Sequence, residues 1–77
     1  MRAKGIPRSN ERVQRALLAL VLHEHPARVW TDDLFKEYGR EGQLAVEALV
    51  SVGLVLHIDN VVVPTAAALH FERLESL

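Results

Sequence analysis

Apolar residues recur along this chain in two rhythms, and the changes between them divide it into elements. From residue 13 the period is helical: Val13, Ala16, Leu17 and Leu20 fall on one stripe, with Leu18 and Leu22 on the opposite side. Ser9 or Asn10 is placed to cap this first helix, and Pro26 ends it by removing a donor. Arg28-Val29-Trp30 is a short extended run that reads as a third strand for a later hairpin. A second helix is predicted from Thr31-Asp32-Asp33, where a capping hydroxyl precedes two carboxylates at the positive end of the helix dipole. Leu34, Phe35 and Tyr38 form its apolar side, and Gly39 supplies the left-handed conformation that stops a helix.

A third helix is expected from Arg40 or Glu41, with Ala45, Val46, Leu49, Val50 and Val52 on one side. Arg40, Gln43, Leu44, Glu47 and Ser51 fall on the other, and Gly53 is the next stop. The rhythm then becomes that of strands. Leu54-Val55-Leu56-His57 leads to an Asp59-Asn60 turn and returns as Val61-Val62-Val63, because Asp and Asn tolerate the positive φ of a tight hairpin. Pro64-Thr65 closes the strand and Thr65 caps a last helix, in which Ala67, Phe71 and Leu74 share a stripe and Leu69 lies across from it. The predicted class is mainly α with a small antiparallel sheet, in the order helix, short strand, helix, helix, two strands, helix.

Size and charge refine this picture. At 77 residues the chain has room for one domain, and a domain this small buries only roughly 60% of its unfolded surface. Residues 1–8, with Gly5, Pro7 and no periodicity, read as a flexible basic arm, and residues 9–77 as the single domain. The net charge of −1 is unevenly spread. Five basic residues stand against Glu11 in positions 1–15, and four basic against nine acidic in positions 16–77. A basic arm on an acidic body attracts phosphate locally and not over the whole surface. No cysteine is present, so thiolate metal sites and disulfides are excluded. The longest apolar run, Ala16 to Leu22, is far below the roughly 20 residues that span a bilayer. A cytoplasmic location is the expectation.

Three segments carry a resemblance. Val46-Glu47-Ala48-Leu49-Val50-Ser51-Val52-Gly53-Leu54-Val55 looks like a recognition helix running into a wing. Val63-Pro64-Thr65-Ala66-Ala67-Ala68-Leu69 looks like the exit of that wing, and Trp30-Thr31-Asp32-Asp33-Leu34 like the start of a second helix. Together they resemble the winged helix-turn-helix family of small bacterial transcription regulators, over residues 9 to 76. The resemblance implies a module that binds double-stranded DNA as a homodimer. Arg40 and Gln43 would then reach the groove, with Glu47 beside them as an acceptor for a cytosine amine. Thr31 and Lys36 would sit near phosphate, Arg2, Lys4 and Arg8 of the arm would add non-specific attraction, and His57 and Asn60 would form a wing contact.

The same residues support an alternative, a winged helix used for protein–protein contact. The face with Arg40 and Gln43 also carries Leu44 and Glu47, and the wing tip His57-Ile58-Asp59-Asn60 has no Lys or Arg. Leu18, Leu22 and Leu69 exceed what one small core takes, which points to a dimer or partner interface through the terminal helices. Other chemistry finds little support. In His23-Glu24-His25 the two imidazoles are two apart on a helix and do not face one another, so no metal site is expected. Asp32-Asp33 is explained by helix start chemistry, and no nucleophile–base set or glycine-rich phosphate loop is present. An enzyme is not expected, nor a cofactor.

Overall fold

The computed structural model describes residues 10–76. The basic arm with Arg2, Lys4 and Arg8, and the cap expected at Ser9, lie outside the described residues. Three helices and a three-stranded antiparallel sheet follow one another as α1 (Asn10–Glu24), β1 (Val29–Trp30), α2 (Thr31–Ser51), β2 (Val55–Ile58), β3 (Val61–Pro64) and α3 (Ala66–Glu75). The sheet order is β1-β3-β2.

The expected pair of central helices runs as one element, so three helical elements and not four follow among the described residues, but α2 is two helical segments that meet in a kink at Gly39, where the sequence placed a stop. α2 contains a single non-helical residue, Gly39, at φ 64° and ψ −144°. That region is close to glycine-only, and one residue is enough to bend the chain while helical bonding resumes at once. Gly42, one turn further on, is buried: a Cβ there would lie 2.8 Å from the Cβ of Tyr38 and 3.1 Å from the Leu34 carbonyl oxygen. The missing side chain lets the second segment of α2 fold back against the first.

At its far end α2 stops as Gly53 predicts. The Gly53 amide donates to the Val50 carbonyl at 3.0 Å and the Leu54 amide to the Leu49 carbonyl at 2.9 Å, with φ 83° at Gly53. This pair of bonds is a Schellman motif, and it leads directly into β2. Asp59 (φ 51°) and Asn60 (φ 65°) both have the positive φ that a two-residue type I′ hairpin requires. The register pairs Leu56 with Val63 and Ile58 with Val61, and β1 adds Val29 opposite Val62 and Trp30 opposite Val61.

The core lies between α1, α2 and one face of the sheet. It consists of Leu17, Val21, Val29, Leu34, Ala45, Val46, Leu49, Val55 and Val62. In α2 the buried positions Gly42, Ala45, Val46 and Leu49 follow i, i+3, i+4, i+7 spacing. Val50 and Val52, expected on that side, are exposed: at 100° per residue they fall at the two opposite margins of this stripe, and Val52 lies past the last helical residue. In α1 the buried pair is Leu17 and Val21, one turn apart, and Ala16 is exposed.

α3 is turned over relative to expectation. Ala68 is buried, whereas Ala67, Phe71 and Leu74 face away from the core. The small Ala68 lets the helix backbone come close to the body, and that close approach selects the face. Thr65 caps α3 as expected. Its hydroxyl oxygen accepts from the Ala68 amide at 3.2 Å and the hydroxyl donates to the Gly53 carbonyl at 2.7 Å, while the Thr65 amide donates to the Leu54 carbonyl at 3.1 Å. One residue thereby joins the end of α2, the approach to β2 and the start of α3.

Candidate interaction surface

The second segment of α2, after Gly39, exposes Arg40, Gln43, Glu47 and Ser51, with Leu44 half-buried beside them. At 100° per residue these positions share one face, as the sequence predicted. Lys36 is also exposed, one turn before the bend. The face is mixed in charge, since Glu37 and Glu41 are exposed on either side of Arg40.

Thr31 is not where it was expected. It is 1% exposed, and both its amide (2.9 Å) and its hydroxyl (3.0 Å) donate to the carbonyl of Asn60. The residue at the helix cap position is Trp30, with no side-chain cap bond. Thr31 is therefore neither a cap nor a surface group near phosphate. A tertiary bond across the hairpin tip has taken its hydroxyl. The same bond sets the start of α2 beside the Asp59–Asn60 turn, so the exposed carboxylates Asp32, Asp33 and Asp59 surround one junction. His57, exposed on β2, stands in register with Val62 on the core-facing side of the sheet, and Asn60 is held at the turn by its carbonyl.

The three leucines read as spare are not equivalent. Leu18 is half-buried and packs against the core. Its neighbour Leu17 points fully inward, and α1 is wide enough in its apolar arc to bring both into the body. Leu22 lines a shallow groove with Ala19, Leu20, His23 and Glu72 where α3 lies along α1. Leu69 is half-buried.

The larger apolar surface is elsewhere. In register across all three strands stand Ile58, Val61 and Trp30, and beside them Leu56 and Val63. These five side chains occupy the sheet face turned away from the core, where Trp30 is 45%, Leu56 46% and Ile58 53% exposed. An antiparallel sheet with one wet face ordinarily alternates apolar and polar residues. The sequence signal for the exception is the run Val61-Val62-Val63, which leaves neither face of β3 polar.

Among the described residues no group of three or more His, Cys, Asp or Glu is arranged to hold a metal ion. No helix among them is long and apolar enough to cross a membrane. No protein-family model matches the chain, and neither a curated protein nor a solved structure matches it.

Proposed function

We propose that this chain is a winged-helix module that works by protein contact. The order of elements supports the winged-helix reading: a bent central helix exposes its second segment, which passes through a glycine stop into a two-residue hairpin and a last helix. The observation that carries the choice of partner is the junction at Thr31 and Asn60. In a winged helix bound to DNA, the start of the second helix and the wing tip are the parts that approach phosphate. Here that edge bears Asp32, Asp33 and Asp59, and Thr31 is buried within it. Affinity for a duplex grows with the number of phosphates neutralised by Lys and Arg, and three carboxylates on the approaching edge oppose it. Residues 10–76 carry six basic and ten acidic side chains, so the body as a whole does not attract a polyanion.

A second reading is the DNA-binding dimer of a transcription regulator. It is favoured by one observation, the shared exposed face of Arg40, Gln43 and Ser51, which are residue types that read base edges and phosphates. A labelled random duplex titrated with the full chain at about 20 mM and about 150 mM salt separates the two. The protein-contact reading expects no binding at the higher salt. Affinity that persists there and falls steeply as salt is raised overturns it in favour of the DNA reading.

A further inference from the structure

We infer that the outer face of the sheet is the contact surface, and that it takes a second copy of this chain, related by a two-fold axis that passes near Trp30. This rests on the protein-contact reading and names the surface and the partner. Trp30, Ile58 and Val61 form one row and Leu56 and Val63 the next, so the face is apolar at all five of these positions.

Its size and its rim both favour self-association. About half of Trp30, Leu56 and Ile58 is exposed, leaving on the order of 300 Å² of contiguous apolar surface, in the range where patches on monomers are functional. Two such faces and their rims bury roughly 1,000 Å² in total, which suits a weak and reversible dimer rather than an obligate one. The rim is self-complementary. Arg28 precedes Trp30 by two residues, Asp32 follows it by two, and both are exposed. Sheets that pack face to face lie about 10 Å apart. With the axis across the strands, β1 of one copy runs antiparallel to β1 of the other. Arg28 of each copy then lies over Asp32 of the second copy, and the two pairs bracket the stacked tryptophans. Such an interface is isologous, each patch meeting itself.

Sedimentation equilibrium on the full chain from roughly 10 µM to 1 mM tests this, with the emission of Trp30, the chain's single tryptophan, followed over the same range. The expected result is a mass rising towards twice that of the chain together with a blue shift of the emission. Ile58→Asp weakens association at least tenfold, and Arg28→Asp weakens it similarly. Arg28→Asp combined with Asp32→Arg restores it, because the exchanged charges again meet. A chain that stays monomeric to 1 mM, a dimer indifferent to Ile58→Asp, or a double variant no better than Arg28→Asp overturns the inference. None of these outcomes touches the protein-contact reading, which falls only if the duplex titration shows binding at physiological salt.

Discussion

Thr31 and Asn60, 29 positions apart in the chain, are joined by two donors to one acceptor: the amide and the hydroxyl of Thr31 both reach the Asn60 carbonyl, at 2.9 and 3.0 Å. The amide bond continues the β1–β3 ladder past Trp30, and the hydroxyl adds a bond that any residue without one would lose. Because Thr31 is buried, water does not replace it.

Thr31→Val keeps the shape and the amide bond and removes only the hydroxyl. It is expected to cost about 0.5–1.5 kcal/mol, the usual net value of one hydrogen bond, as read from the urea midpoint. It leaves any duplex affinity unchanged, because the side chain is out of reach of phosphate. A change in duplex affinity at constant stability would contradict the burial of this residue.

The two glycines of α2 fail for different reasons when changed to alanine. At Gly39 a Cβ meets nothing within 4 Å, so only the backbone conformation objects, at about 1–3 kcal/mol. At Gly42 the φ is ordinary but the Cβ collides with that of Tyr38, and the cost is also about 1–3 kcal/mol, through forced separation of the two helical segments. Shortening Tyr38 cannot relieve the clash, since the Tyr38 Cβ itself is the obstacle. Gly42→Ala with Tyr38→Ala should therefore be no more stable by chemical denaturation than Gly42→Ala alone.

Thr65→Ala removes the cap of α3 and the tie to Gly53 together. Caps alone contribute about 0.5–2 kcal/mol, and the loss here belongs in the upper half of that range because the hydroxyl also donates. Amide exchange in α3 should accelerate more than in α1.

Leu18 and Phe71 should exchange the roles that a helical wheel assigns them. Leu18→Ser is expected to destabilise by about 1–3 kcal/mol through lost packing on the core. Phe71→Ser, at a position 59% exposed, should stay within about 0.5 kcal/mol of the parent. Thermal melts of the two variants at equal concentration check the ranking, and the reverse order would mean that α3 packs by its other face.

What could be read from residue types alone was local. The hairpin at Asp59-Asn60, the stop at Gly53, the Thr65 cap and the strand at Val29-Trp30 each follow from the conformational limits of a few adjacent residues, and each is present. What depended on the choice between two apolar faces was not legible. α1 is apolar over a broad arc and α3 has apolar residues on both sides of Ala68, so periodicity proposes two orientations and packing selects one. Gly42 looks like any helix-interior glycine until the second segment is folded back on Tyr38. Thr31 carries every local sign of a cap, and only the arrival of Asn60 assigns its hydroxyl elsewhere. The candidate face with Arg40, Gln43 and Glu47 was legible because it lies on one short helical segment, whereas the Trp30 face is assembled from three strands.

The hairpin's length has a mechanical consequence. Each of its strands has four residues, so it projects about 13 Å at the usual rise per residue, and its tip is bolted to the helix behind it. A hairpin that short, with its turn held by two bonds from Thr31, is coupled to the start of α2, so a shift of one carries the other with it. The turn has only two residues and both are already fixed, so little backbone entropy remains to be lost at this edge.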